Sequence, residues 1–409
     1  MHQLGSKFRL YFAGQALSTF GDSLIPLTIA FAALHLEGPG LLGLTLAANR
    51  VPIAALVLFG GALGDRWNRR WVMLGADLLR CGTQLTTGLL LVFGAAQAWH
   101  LVLLQGLAGV GTAAFVPAAS GLVPALVRHE QLQRANALLG LATNANKVLA
   151  ISVAGAVVAT AGPGISLLVD SATFAASAVS LFLLRLPEQA RDANRSSLWR
   201  ELREGACMVA STPWLRSLIS YNALLQGLVI GPHMVAGPLL AEAHLGGAGA
   251  WATIGVVQAV GSIAGGLCAM HWQPKRPLLT AYAVGFLMVP YLLLLAMNAP
   301  LWLVAAFAIA VGAQGALFMT IQSTLLQRHV PATSRSRVAA WSQLGNLVFL
   351  PTSLAVAGPV AAASGGGPIL LVGTGWLALS TIFVLCKVPA TGITTKSDSP
   401  AVAEESPTS

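Results

Sequence analysis

Apolar runs of roughly 20 residues recur from Leu10 to Lys387, separated only by short polar or glycine-rich breaks. This recurrence restricts the fold more than any single residue does. A run of that length crosses a hydrocarbon core of about 30 Å as a helix, because lipid offers no partner to backbone N–H and C=O groups. Strand barrels need short alternating runs, and none is present. The runs predict twelve helices at 10–34, 41–63, 72–94, 100–123, 136–160, 163–184, 216–241, 250–270, 278–297, 301–323, 338–360 and 366–387. With 56% hydrophobic and 9% charged residues among 409, there is too little polar material to cover a soluble protein of this size. The expected class is an all-α, multi-pass integral membrane protein.

The net charge of +9 invites a nucleic-acid reading, but the basic residues mark one side of a membrane instead. The segments 35–40, 95–99, 161–164, 242–249, 298–300 and 361–365 contain no Lys or Arg. The alternate segments hold Lys7 and Arg9; Arg66, Arg69 and Arg70; Arg128 and Arg134; Arg185 through Arg203; Lys275 and Arg276; Arg328, Arg335 and Arg337; and Lys387. Positive charge stays on the cytoplasmic side, so both termini are expected there, in a bacterial inner membrane, with lipid as the surrounding partner and no nucleic acid. Lys7 and Arg9 before Leu10–Leu34 mimic a secretory leader, but the run is too long and more follow. Cys81, Cys207, Cys268 and Cys386 lack the spacing of a disulfide framework or a metal site. No cofactor or metal is expected, and a monomer is.

The punctuation of the first half returns about 200 residues later, which predicts two pseudo-symmetric six-helix bundles. Gly60-Gly61, Arg66-Trp67 and Arg69-Arg70 are echoed by Gly265-Gly266, His271-Trp272 and Lys275-Arg276. Arg128-His129 and Arg134 are echoed by Arg328-His329 and Arg335, while Asp65 has no acidic counterpart. The expected units are 1–184, a cytoplasmic linker 185–215, 216–387, and a tail 388–409 too polar and aperiodic to fold. Within the linker, Ser197–Ala210 alternates Leu198, Trp199, Leu202 and Met208 with charged residues, predicting an amphipathic helix on the inner leaflet.

An ionisable group in a bilayer core costs at least ~2.5 kcal/mol, so each needs a partner, a wet cavity or a function. Asp22 lies about 12 residues into the first span and Arg50 about 9 into the second, which puts both near the midplane at 1.5 Å per residue. The expectation is an Asp22–Arg50 pair, serving either as a static packing element or in coupling. Lys147 reaches the same depth in the fifth span, competing for Asp22 or facing cavity water. Asp77 and Arg80, spaced i, i+3, are expected as a local pair near the inner end of the third span, bracing the loop at Asp65. Asp170 is taken as an ordinary carboxylate at the N-terminus of the sixth span. The second half carries no deep charge, and Gln226, Gln258, Gln314, Gln322, Gln343 and Asn346 are expected to stud its cavity wall, opposite Gln105 and Asn144. His233, after Pro232 in a broken stretch, titrates in the physiological range when unperturbed, although a lone His there more often only donates one hydrogen bond.

The stretch GGALGDRWNRR, residues 60–70, ends an apolar run in a knot of charge. Its Gly61, Leu63, Asp65, Arg66, Arg69 and Arg70 resemble the signature loop between helices two and three of the major facilitator superfamily, with Gly64 and Asn68 departing from it. Further phrases are similar to the branch containing bacterial macrolide-efflux and enterobactin-exporter proteins: Gly21-Asp22, DLLR at 77–80, LVPALV at 122–127, LQRANAL at 132–138 and DSATFAASA at 170–178. Two antiporter motifs are degraded. Gln105 stands where helix four usually has arginine before GxG, here Gly109 and Gly111, and Ala150-Ile151 stands where helix five usually has Gly-Pro. The resemblance implies a twelve-helix transporter exporting an amphipathic drug, antibiotic or siderophore-like molecule in exchange for protons, gated at Gly61, Asp65, Arg66, Arg69, Arg70, Asp77 and Arg80. Its proton-coupling candidates are Asp22, Arg50, Lys147 and His233. Uptake or facilitated diffusion by the same fold is the alternative, followed by a non-transporting binding protein or enzyme. No phosphate-binding GxxxxGK[ST], HExxH or serine-nucleophile motif is present, so no enzyme activity is expected.

Overall fold

The computed structural model describes residues 5–63, 68–184, 198–272, 274, 276–330 and 335–387. Asp65, Arg66 and the tail lie outside them. Helices account for almost all the described chain, as a lipid-embedded backbone requires. They are α1 (Ser6–Leu36), α2 (Pro39–Leu63), α3 (Arg69–Val92), α4 (Ala98–Leu126) and a continuous Leu132–Leu183 element. That element turns at Gly162, where φ is 82°, a value L side chains avoid, directly before Pro163. The turn divides it into α5 (132–161) and α6 (163–183). The linker helix α7 (Leu198–Ser211) follows, then α8 (Pro213–Leu245), α9 (Ala248–His271), α10 (Pro277–Ala296), α11 (Leu301–His329), α12 (Arg335–Ser364) and α13 (Gly366–Lys387). Apart from α7, these are the twelve expected spans, arranged as two six-helix bundles.

Local irregularities follow from proline. α8 widens to π geometry at Gln226–Ile230, just before Gly231-Pro232, and the Gly231 N–H reaches back to the Gln226 carbonyl. A proline has no N–H and crowds the carbonyl four residues earlier, and one extra residue per turn absorbs the mismatch. α10 breaks at Phe286 and Leu287, four and three residues before Pro290.

The helix ends that carry the described residues Lys7, Arg70, Arg128, Arg276 and Arg328 are called the basic end, and those at Gly38, Gly94, Gly162, Gly246 and Gly365 the neutral end. Each half has its own core: Phe8, Met73, Phe115 and Leu122 belong to the first, and Tyr282, Tyr291, Leu325 and Leu377 to the second. A third cluster joins the halves at the neutral end, where Leu24, Phe31, Leu42 and Ala154 meet Val235, Ala252, Leu354 and Ala357. α2 and α12 cross there so closely that a Cβ on Gly43 would stand 2.4 Å from the Leu354 carbonyl oxygen. A half-exposed pair, His35 Nε2 with Glu242 Oε1 at 3.0 Å, ties α1 to α8 at the rim. Among the described residues the hydrophobic cluster that joins the halves lies at the neutral end, and the space left between the halves toward the basic end is called the cleft. α7 packs beside α12, with Val209 buried against Leu215, Val330 and Val338. The amphipathic face expected on a leaflet therefore lies partly on protein.

Candidate functional site

The cleft walls are set by helix periodicity. On α5, Lys147, Ile151 and Gly155 follow at intervals of four and share one face. That face meets α9 at Ile151 and Gly155, where a Cβ on Gly155 would stand 2.1 Å from that of Ala252. One turn closer to the basic end the halves part, leaving Lys147 and Asn144 exposed. Similarly α2 turns Gly43 and Ala47 toward the second half, and Arg50 continues that face into the open cleft. Neither Arg50 nor Lys147 has an ion-pair partner among the described residues.

The expected Asp22–Arg50 pair does not form. Asp22 is paired with Arg80 of α3, whose Nη1 lies 3.3 Å from Oδ2 and 3.5 Å from Oδ1. Arg80 Nη2 simultaneously donates to Asp77 Oδ1, and Ser177 of α6 donates to Asp77 Oδ2 at 2.7 Å. The pair at i, i+3 is thus present and extends to Asp22 and Ser177. α3 begins at Arg69, which places Asp77 and Arg80 in mid-helix, with exposures of 0% and 3%. The guanidinium is sandwiched between Phe115 of α4 at 4.4 Å and Phe174 of α6 at 4.3 Å, contacts that favour a desolvated cation. Asp22, with 37% of its side chain exposed, is the member of this network that touches the cleft.

Asp170 is also displaced from its expected role. It sits a full turn and more beyond Pro163, fully buried against α1 at Gly21, and does not cap a helix end. The signal that would have found it is the spacing of Asp170, Thr173, Phe174, Ser177 and Leu181, one continuous helix face that is buried throughout. Depth therefore does not single out Asp22: three carboxyl groups, Asp22, Asp77 and Asp170, cluster around one guanidinium.

Several expected cavity residues turn inward. Gln105 is buried and donates to Gln84 Oε1 at 3.1 Å, while the Asn49 amide donates to the Gln105 carbonyl at 3.2 Å. This amide network ties α2, α3 and α4 together at the position where the family resemblance implies an arginine. Gln314 and Gln322 are buried within the second half, and Gln322 donates to Ser342 at 3.2 Å. His233 Nε2 is 2.9 Å from the Tyr291 hydroxyl and packs on Trp251, with Gln258 beside the same hydroxyl. His233 and Gln258 therefore join α8, α9 and α10 inside the second bundle and do not face the cleft. Gln226 occupies the π turn of α8, and the side chains of Gln343 and Asn346 lie outside the described residues. At the basic end Gly61 falls in the last turns of α2, Asn68 caps α3, and Arg69 begins it. Arg70 Nε donates to the Leu181 carbonyl at 2.7 Å and Nη2 to that of Phe182, so its charge meets the carbonyls at the C-terminal end of α6. Asn146, not anticipated as a site residue, donates to the Ala16 carbonyl at 2.6 Å and to Thr19 at 2.8 Å, fixing α5 on α1.

Comparison with known proteins agrees with this architecture. The chain is similar to macrolide efflux protein A of Streptococcus pyogenes, 24% identical over 306 residues, covering 67% of this chain and 69% of that protein. Its fold matches a crystal structure of a bacterial homologue of the iron transporter ferroportin in the inward-facing state, with a TM-score of 0.75 at 16% identity over 94% of this chain and 98% of the other. It also matches a crystal structure of the nucleoside transporter NupG, with a TM-score of 0.70 at 13% identity over 93% and 99% of the two chains. The model of the Major Facilitator Superfamily matches residues 11–350. Twelve spans in two bundles, a cleft closed at one end and this family match lead to one conclusion: the chain belongs to the Major Facilitator Superfamily.

Proposed function

We propose that this transporter is a secondary exporter of amphipathic small molecules, macrolide-like antibiotics among them, exchanging them for protons by alternating access. The observation that carries this reading is the position of Asp22, a carboxylate on the cleft wall whose only cation among the described residues is a buried arginine shared with a second carboxylate. Protonation of Asp22 releases Arg80 from it, and deprotonation draws it back, so a proton and the packing of α1 on α3 are linked. The likeness to a macrolide efflux protein supports export of a drug-sized molecule. The basic end is taken as cytoplasmic under the positive-inside rule, so both termini face the cytoplasm of a bacterial inner membrane and the cleft is open inward. In the same reading Asp65 and the basic residues beside it latch that end when the cleft turns outward, with 1–184 and 216–387 moving as the two bodies, 185–215 as their tether, and the protein acting as a monomer in lipid.

Everted membrane vesicles from cells expressing the chain test this function. With an acidic lumen, a radiolabelled macrolide should accumulate well above the level in vesicles from cells lacking the protein, and collapsing the gradient should release it. Accumulation driven only by an alkaline lumen would establish the alternative, proton-coupled uptake. Equilibration without accumulation would establish facilitated diffusion, and saturable binding with no flux would establish a non-transporting protein.

A further inference from the structure

The first bundle contains more acid than its cation satisfies. Asp77 takes Arg80 and the Ser177 hydroxyl, and Asp22 takes the other terminal guanidinium nitrogen. Asp170 has neither. Its side chain is fully buried, and neither carboxyl oxygen has a hydrogen-bond partner. The Thr173 hydroxyl stands beside that carboxyl group, and it gives its proton to the Asp170 main-chain carbonyl at 2.7 Å. α1 approaches through Gly21, where a Cβ would stand 2.2 Å from Asp170 Oδ1, leaving no room for a water between them. The charged groups acting on Asp170 are Asp22 on α1 and Arg80 on α3, with Ser171 fixing the register by donating to the Cys81 carbonyl at 3.0 Å. An ionised carboxylate in such a place costs several kcal/mol, whereas the neutral acid leaves only weaker dipoles unmet.

A second orphan lies in the same cluster. Arg80 Nε is buried and has no acceptor. The arginine stem passes Gly111 of α4, where a Cβ would stand 2.8 Å from Cγ, and its head lies between two aromatic faces that hold a cation without fixing its direction. The guanidinium therefore has an unused donor and a slot in which to turn.

We propose that Asp170 is a resident proton site: it holds a proton while Arg80 is paired with Asp22, and passes that proton to Asp22 when Arg80 turns to Asp170. In that exchange the O–H bond on Asp170 breaks, one forms on an Asp22 oxygen, and the guanidinium charge moves the opposite way, leaving the charge of the cluster unchanged. Asp22 then delivers the proton to the cleft. The resident proton stands on the geometry alone, whereas its passage to Asp22 rests on the proton-coupled export proposed above.

Infrared spectroscopy of the full-length protein in lipid nanodiscs at neutral pH separates the two. The C=O stretch of a protonated carboxyl group lies clear of amide and carboxylate bands and shifts in D2O. The expected spectrum shows this band in the unmodified protein and shows it lost in Asp170→Asn. Asp170→Glu should move the band without removing it, which answers the objection that an altered protein has simply misfolded. A spectrum without the band, or one undiminished in Asp170→Asn, overturns the resident proton. In the vesicle assay Asp170→Asn should lose gradient-driven macrolide accumulation while keeping downhill exchange. If the band behaves as expected but Asp170→Asn still accumulates macrolide normally, the passage to Asp22 is overturned. If the unmodified protein never accumulates macrolide while the band behaves as expected, the export function has failed and the proton site has not.

Discussion

Arg80→Met should be the most damaging single substitution in the first bundle. It removes the guanidinium from a cluster of three carboxyl groups and leaves Asp77, with 0% exposure, facing only the Ser177 hydroxyl. Breaking a buried ion pair by deleting one partner costs about 3–5 kcal/mol, far more than the pair contributes against an apolar replacement. The expected result is a lowered thermal unfolding midpoint of the purified protein and no macrolide transport. Adding Asp77→Asn to Arg80→Met should restore much of the stability, because it removes the abandoned charge, but should not restore coupling. Arg80→Lys should fold better than Arg80→Met yet transport poorly, since a single ammonium on a flexible stem does not reach Asp22 and Asp77 with separate, fixed donors. If Arg80→Met unfolds at the temperature of the unmodified protein, the cluster is not held by that cation.

How much of this arrangement is legible in the sequence depends on which coordinate of a helix is asked about. Length and order come from counting, which is why the twelve spans are readable without a structure. Rotation about the helix axis is harder to read where a helix is apolar on every side, as these are. Equal depth suggested Arg50 as the partner of Asp22, but α2 turns Arg50 toward the cleft, while the long arginine side chain at position 80 reaches α1 from α3. The same limit misplaced Gln105 and His233: amides and a histidine in a lipid-embedded chain satisfy one another inside a bundle as readily as they line a cavity. Asp170 was open to a better inference, because the polar and aromatic residues of 170–181 repeat at helix spacing and mark a buried face.

Gly43→Val should stop transport without unfolding either half. At the neutral end a Cβ on Gly43 would lie 2.4 Å from the Leu354 carbonyl oxygen and 2.8 Å from Cα and N of Gly358, all backbone atoms that cannot turn aside. The clash exists only while α2 and α12 are in contact, so it penalises one conformation. Overpacking of about 1–3 kcal/mol applied to one state shifts a two-state equilibrium by roughly 5- to 150-fold. In a background without native cysteines, Ala357→Cys, 2% exposed within the neutral-end cluster, should be protected from an impermeant thiol reagent added outside the cell. The same cysteine should become reactive when Gly43→Val is added, and transport should fall by about tenfold or more, within the range that such a shift allows. Continued protection with normal transport would show that the two helices need not close for the cycle to run.

The proton linkage at Asp22 is tested most directly by Asp22→Asn in everted vesicles, comparing two fluxes in one preparation. Gradient-driven accumulation of a radiolabelled macrolide into an acidic lumen should be abolished, because the amide neither binds nor releases a proton. Exchange of internal for external macrolide with no gradient should persist, because the cleft, Arg50 and Lys147 are unchanged. If Asp22→Asn still concentrates the macrolide with the pH dependence of the unmodified protein, Asp22 is only the visible end of a structural ion pair, and proton coupling does not run through it.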